Sequence, residues 1–357
     1  MKIVGVHLYN DLSGSPMVFS HLIKHWVEQG NEVHLLTSQH NGRLSNIPGV
    51  HYHIFHYQWS PNRNKTLLRF LTVNITIFII TWRLLNSSQL VYINTWLPFG
   101  AALAAKIRKK TCIYHSHETT VRPLLFKKFL KRIVKLTANQ IIYVSKYLKN
   151  TEGFNQPNEH VVYNALSDEF FNKAKTWKNK NQKGKNHILM LASYRMYKGI
   201  EEFITLAEKL PDFTFELVLN STDEERGSFL KQNLPGNLIV SPSSKDVHVF
   251  YQRAALLLNL SRPDQWVETF GLTLIEAMAY GIPVISPPVG GPTEIVTKDV
   301  GYQISCYDMK KLVTHVKGIM TDKILYQQLS QGAFRQAKKY RMKKFLSQVD
   351  SIMLNKA

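Results

Sequence analysis

The chain has 357 residues and is 44% hydrophobic, which suits two packed domains and excludes a disordered chain. Its 45 Lys and Arg exceed its 25 Asp and Glu, for a net charge of +20, so anionic partners are favoured. Only two cysteines occur, Cys112 and Cys306, one in each half; a disulfide framework is not expected, which favours a reducing compartment.

In chain order, MKIVGVHLYN reads as a first strand, Lys2–Tyr9, and lacks the charged-then-apolar pattern of a signal peptide. Asn10–Pro16 is a turn-rich loop containing Gly14. Met17–Gln29 carries Val18, Leu22 and Trp26 at helical spacing, and Gly30 closes it. Val33–Thr37 is the next strand. This strand–loop–helix–strand order is a βαβ unit, whose ligands are expected at the carboxyl ends of the strands.

His51–Tyr57 alternates like a strand. Phe70–Trp82 is the most hydrophobic run in the chain. It is too short to span a bilayer, is flanked by Arg69 and Arg83, and is interrupted by Asn74. It reads as a core helix or as a helix with one face on lipid. Leu90–Asn94 and Thr111–Tyr114 are buried strands with the helical Phe99–Lys110 between them. The second strand runs into His115, Ser116, His117 and Glu118, so a histidine is expected at the ligand edge of the sheet. A zinc pair is the weaker reading, because no cysteine or second histidine pair lies near to complete a site.

Charge placement is uneven. Between Val33 and Thr151 one acid, Glu118, stands against seventeen Lys and Arg. Within that span Val121–Ala138 has an apolar stripe, Leu125, Phe129, Ile133 and Leu136. Around it crowd Arg122, Lys127, Lys128, Lys131, Arg132 and Lys135. This is the pattern of a membrane-surface helix, with a helix docked on its own sheet as the alternative. Gln140–Val144 and Val161–Leu166 are further strands. Ser167–Asn186, rich in Lys and Asn, reads as an interdomain linker.

The second half opens with the strand His187–Ala192, the turn Ser193–Gly199 and the helix Ile200–Leu210. Arg195 and Lys198 stand between strand and helix, placed to neutralise a diphosphate. Thr214–Leu219, Leu238–Val240 and Leu256–Leu260 are strands. Ser261–Gly271 is an irregular polar loop carrying Glu268. A helix follows over Leu272–Ala279 with Glu276; Gly281 can end it, and Pro283–Ser286 reads as a buried strand. Unpaired backbone N–H groups at that helix start attract anions, and carboxylates beside them accept hydroxyl hydrogen bonds. That combination suits a phosphorylated sugar, although spacing alone equally suits a surface helix with two solvated glutamates. Gly290 and Gly291 shape the loop before a helix near Thr293, and Asp308–Ala357 is helical to the end.

The string from Glu268 to Ile285 resembles the nucleotide-sugar site of family 4 retaining glycosyltransferases. Its pattern of Glu, seven residues, Glu within E-x-F-G-x-x-x-x-E-A-M-A-x-G-x-P-V-I is met by Glu268, Phe270, Gly271, Glu276, Ala277, Met278, Ala279, Gly281, Pro283, Val284 and Ile285. The resemblance implies an α/β chain of GT-B fold, two Rossmann-like domains facing across a cleft. It implies donor contacts from Gly14, Arg195, Lys198, Glu268, Thr269, Phe270, Gly271, Leu272 and Glu276. Glu268 would meet sugar hydroxyls, Glu276 the ribose, and His117, with His115 in reserve, the donor sugar. Lys198 matches the family's G-R-x-x-x-x-K-G element, whereas Ser193 stands where its arginine belongs, and Arg195 lies two residues later. The first loop has Ser13, Gly14 and Ser15 where paired glycines are usual. Ser241–Asp246 would lie against the nucleobase.

The expected organisation is a domain over 1–166, a linker over 167–186, a nucleotide-sugar domain over 187–340, and a final helix over 341–357 that folds back to the first. The expected activity is transfer of a sugar, with retention, from a nucleotide diphosphate sugar to a lipid-linked or cell-envelope glycan acceptor of the O-antigen or capsule type. His117, Glu268 and Lys198 would do the chemistry, with no metal or other cofactor, since no Asp-x-Asp motif stands on the site loops. The place would be cytoplasmic, peripheral at the inner face of the cytoplasmic membrane, on anionic lipid through Val121–Ala138. The rivals are a nucleotide-sugar epimerase, which lacks this string, and a basic nucleic-acid- or membrane-binding protein. Nucleic acid is not expected as a partner, because aromatic residues are not interleaved with the basic ones on an exposed groove.

Overall fold

In the computed structural model, residues 1–58, 60–86, 90–119, 121–178, 186–244 and 246–354 are described; 179–185, Lys245 and 355–357, within spans read above, lie outside them. The chain forms two compact units, Met1–Tyr163 with Lys343–Ala357, and Asn164–Met342.

The first unit runs β1 (Lys2–Val6), α1 (Gly14–Glu28), β2 (Glu32–Ser38), β3 (Val50–Phe55), α2 (Arg63–Leu84), β4 (Leu90–Asn94), α3 (Phe99–Ile107), β5 (Thr111–Ser116), α4 (Leu124–Thr137), β6 (Gln140–Tyr143), α5 (Lys146–Glu152) and β7 (Glu159–Val161). The strands pair in parallel in the order β3-β2-β1-β4-β5-β6-β7. Helices cover both faces, so strands such as β4 are apolar at nearly every position and wholly buried.

The second unit runs α6 (Asp168–Lys178), β8 (His187–Ser193), a 3₁₀ turn (Met196–Lys198), α7 (Ile200–Lys209), β9 (Thr214–Asn220), α8 (Asp223–Leu230), β10 (Leu238–Pro242), α9 (His248–Arg253), β11 (Ala254–Leu258), α10 (Leu272–Ala279), β12 (Val284–Ser286), α11 (Pro292–Ile295), β13 (Gly301–Gln303), α12 (Met309–Thr321) and α13 (Lys323–Ala337). Its parallel sheet has the order β10-β9-β8-β11-β12-β13. The last helix, α14 (Met342–Leu354), crosses the boundary, so that residues from Lys343 onward count with the first unit. There Phe345 and Val349 are buried and Asp350 Oδ2 lies 2.7 Å from His25 Nε2 of α1.

Four expectations change. First, α1 starts at Gly14, three residues before Met17, with Pro16 in the first turn, where a missing N–H costs nothing. Gly14 therefore opens a helix rather than sitting in a loop. Second, the strand expected over Val161–Leu166 is β7, Glu159–Val161, while Leu166 makes an isolated bridge to Arg341. Third, the span read as a linker is helical over Asp168–Lys178. Phe170 packs on His248, Tyr251 and Tyr280 at ring distances of 4.5, 6.3 and 6.0 Å, and this docking outweighs the polar composition. Fourth, the stripe on α4 is split. Ile133 faces the core with Leu130, Val134 and Thr137, whereas Leu125, Phe129 and Leu136 are exposed. Lys127 and Lys131 turn inward to the buried carboxylate of Glu152.

Candidate active site

In each sheet the strand order reverses at one point, and loops leaving the carboxyl ends there splay apart to leave a crevice. In the second unit that point lies between β8 and β11. The loop after β8 carries Arg195 and Lys198; the loop after β11 carries Glu268.

The two loops are stitched together. The Arg262 backbone N–H donates to the Tyr197 carbonyl at 2.8 Å, and its guanidinium bonds Glu201 and Glu202 in the first turn of α7. Tyr197 stacks on Trp266 at 5.2 Å. Gly199 has φ +81°, and a Cβ there would run into the Leu260 carbonyl. On this frame Lys198 Nζ donates to Glu268 Oε2 at 2.9 Å, both side chains being about one-fifth exposed. The same ammonium lies 5.5 Å from the centre of the Trp266 ring. Arg195 instead reaches Tyr194 O at 2.8 Å and Glu225 of α8 at 3.6 Å, in solvent.

Glu268 is also held through its backbone. Its carbonyl accepts from Gly291 N–H at 2.9 Å. Cβ atoms on Gly290 and Gly291 would collide with the carbonyls of Glu268 and Thr269, so the close approach requires glycine. Phe270 is buried against Tyr340, rings 5.8 Å apart; its side chain anchors the loop, and what it can offer a ligand is backbone. Gly271, φ +100°, then turns the chain into α10 and brings no side-chain cap to its N–H groups. Thr269 and Leu272 flank that turn, leaving a helix start suited to an anion.

One and a half turns into α10, Glu276 is 7% exposed and accepts from Tyr251 OH at 2.6 Å. Burial, together with this carboxylate, pushes the Tyr251 hydroxyl well above its usual range. Tyr251 and Tyr280 stack at 5.7 Å, with Phe170 of α6 behind them.

In the first unit the reversal lies between β1 and β4. Thr95, just past β4, has φ +95°, a strained conformation for a β-branched residue and one that gathers at functional sites. Asn94 ties three segments. Its Nδ2 donates to the Ser15 carbonyl at 3.1 Å, its backbone oxygen lies 2.9 Å from His7 Nδ1, and its Oδ1 lies 2.9 Å from His117 Nε2. A carbonyl can only accept, so Ser15 fixes which way the Asn94 amide points. His117 must then carry its proton on Nε2, and Nδ1 keeps the lone pair. Burial, with His115 and His7 nearby, holds His117 well below its usual value, and so it is neutral.

β5 extends to Ser116, so His115 lies inside the strand, fully buried, with Nδ1 3.0 Å from Tyr92 OH. Burial drives it down to about 3. It supports the ring of His117, 4.4 Å away, and is not itself at the sheet's edge. Among the described residues no three His, Cys, Asp or Glu side chains group as a metal site. Glu118 follows His117 just past the end of β5. Burial pushes its carboxyl up to about 7, against hydrogen bonds from backbone N–H groups and Thr95, and its Oε2 has no partner among the described residues. The available signal was its position: the lone acid of a basic stretch, at a strand end.

The geometry defines two Rossmann-like α/β units, each with polar side chains gathered where its strand order reverses. Residues 12–169 match the model of Glycosyltransferase Family 4, and residues 171–336 that of glycosyl transferases group 1. The chain is a glycosyltransferase of the group 1/family 4 kind, with the GT-B fold. It is 23% identical to the N-acetyl-alpha-D-glucosaminyl L-malate synthase of Bacillus anthracis, over 99% of this chain and 97% of that one. Among solved structures it resembles the Anabaena protein HepE in complex with UDP and glucose, with a TM-score of 0.79, 16% identity and full coverage of both chains. It also resembles WaaG, a glycosyltransferase involved in lipopolysaccharide biosynthesis, with a TM-score of 0.72, 13% identity and full coverage of both. At these identities the two likenesses show the fold.

Proposed function

We propose that the chain moves a sugar, with retention at the anomeric carbon, from a nucleotide diphosphate sugar to a lipid-linked or cell-envelope glycan. The observation that carries this reading is the 2.9 Å pair of Lys198 and Glu268 beside the uncapped start of α10. A cation and a helix N-terminus there suit a diphosphate, and the carboxylate suits sugar hydroxyls. That HepE was solved with UDP and glucose supports a nucleotide-sugar donor.

In the free protein Lys198 and Glu268 neutralise each other. Arriving phosphates would draw the ammonium away and release the carboxylate to the sugar. Lys198, aided by Arg195 and the α10 dipole, would then stabilise charge developing on the leaving diphosphate without a metal. Glu276 would accept from the ribose, and neutral His117 would accept a sugar hydroxyl at Nδ1. Glu118 is a group able to exchange a proton near neutral pH. The acceptor and place are read from charge: an enzyme peripheral at the inner face of the cytoplasmic membrane, held in part by Val121–Ala138, and acting in O-antigen or capsule assembly.

The test is nucleotide release from a panel of UDP-, GDP- and dTDP-sugars, with membrane extract as acceptor and with or without EDTA. One donor is expected to turn over, insensitively to EDTA and with the anomeric configuration kept. Lys198→Ala should lower kcat by about 10²–10³-fold, as loss of one charge-stabilising donor does. Glu276→Gln should act mainly on donor KM. Inversion of configuration, loss with EDTA, or no donor bound in calorimetry would each sink the corresponding part of the reading.

A further inference from the structure

Helix α2 is apolar on two faces. Its inner face, Phe70, Val73, Asn74, Ile77 and Thr81, is buried. Asn74 Oδ1 accepts from Gly100 N–H of α3 at 2.9 Å, and the two helices approach so closely that a Cβ on Gly100 would strike the Asn74 carbonyl. The outer face carries Leu68, Leu71, Ile75 and Ile79, spaced by three or four residues and therefore one stripe, each 42–66% exposed. Leu67 adds to it at 51%. An exposed apolar stripe on a helix whose opposite face is already packed is suited to lipid, and the outer side here has no core.

The patch continues onto the neighbouring helix. Phe126 of α4 meets Phe70 at 5.2 Å, and Phe129 meets Phe99 of α3 at 5.4 Å. Beside them Leu124 and Leu125 are 64% and 80% exposed. The same two segments carry exposed basic residues: Lys65, Arg69 and Arg83 on α2, and Arg122, Lys128 and Arg132 on or just before α4. From residue 63 to residue 138 there are fourteen Lys and Arg and one acid, Glu118.

We infer that the outer face of α2, with the first turns of α4, inserts into the interfacial layer of an anionic bilayer, while these cations hold headgroups. The charge pattern selects this occupant. A second copy meeting the same face would set cation against cation across a two-fold axis, whereas an anionic leaflet supplies both the negative charge and the apolar layer beneath it. The helix runs beyond the apolar stretch Phe70–Trp82, read in the sequence as too short to span a bilayer, and the segment Asn64–Leu84 is by length and composition apolar enough to cross a membrane. It lies in the membrane plane instead, because its inner face, with the buried Asn74, is committed to α3. This deepens the proposed membrane-side function by moving the main apolar contact from α4 to α2.

The test needs neither donor nor acceptor, so it stands or falls apart from the transferase reading. The whole chain is floated with phosphatidylglycerol–phosphatidylcholine vesicles and with phosphatidylcholine vesicles, at about 0.1 and about 1 M salt, where screening lengths are ~10 and ~3 Å. Binding to the anionic vesicles is expected, with a part that survives high salt. Leu68→Ser, Ile75→Ser and Ile79→Ser together should cut that salt-resistant part by more than about tenfold while leaving the fold intact, because less apolar surface enters the lipid. Lys128→Glu with Arg132→Glu should instead abolish the preference for anionic lipid. A polarity-sensitive dye on Ile75→Cys is a second readout, since Cys112 and Cys306 are buried. It should shift to the blue on vesicles and be quenched by acyl-chain bromines. A floated protein whose dye does not shift, no flotation at all, or a dimer in solution that the serine variant dissolves would each overturn the inference.

Discussion

Glu118 shows how much one side chain can depend on its surroundings. Its carboxyl lies where β5 ends, beside strained Thr95, and burial raises it to about 7 from its ordinary value of 4.5. The folded state therefore keeps a proton that the unfolded chain releases across this range, and stability falls as pH rises through it. Glu118→Gln keeps the shape without the charge. We expect the variant to gain stability over wild type at about pH 8 and little at about pH 5, in urea midpoints followed at both values. An equal difference at the two pH values would mean that the carboxyl is solvated. The neighbouring histidines act with the opposite sign. His7, His115 and His117 are all held low by burial, so their contribution is present above the unfolded value of 6.5 and lost as pH falls below it.

Loops and helices that place these groups depend on close backbone approach. Gly199 is left-handed and pressed on Leu260, and Gly291 is pressed on Thr269. Gly199→Ala should therefore cost about 1–3 kcal/mol in unfolding free energy through strain, and more activity than Ala at Gly227, where a Cβ meets nothing within 4 Å. Equal effects in both variants would remove the bracing role of the turn. Glycines in these turns were legible in the sequence, because turn chemistry is local. The pairing of Lys198 with Glu268 was not, because the residues stand seventy apart and meet only when β8 and β11 become neighbours. Helix α4 was half legible. Its charge was plain, but the sequence cannot say which of several apolar residues a sheet will cover.

For the whole molecule, the last helix is the revealing part. Residues 343–357 count with the first unit, through Phe345, Val349 and the His25–Asp350 contact. Just before it, the two chain passages near the boundary are bonded within the second unit. Leu166 N–H donates to Tyr340 O at 2.9 Å, Met342 N–H to Leu166 O at 3.0 Å, and Arg341 to Asp168 at 2.7 Å. Ending the chain after Met342 should lower the thermal midpoint of the first unit and leave nucleotide binding by the second, as calorimetry with and without UDP would read. A parallel loss in both units would mean that they unfold as one.

The sequence by itself determined the class of protein, the two βαβ layouts, the glutamate string around α10 and the basic bias of the first half. These are written in short-range patterns: apolar periodicity, glycine turns and residue spacing within one loop and helix. Tertiary structure alone decided that His115 lies buried inside β5, that Asn94 sets the tautomer of His117, that burial raises the Glu118 carboxyl, that 168–178 is a docked helix, and that α2 keeps one apolar face uncovered. Each of those depends on burial, and burial is a property of what the rest of the chain brings alongside.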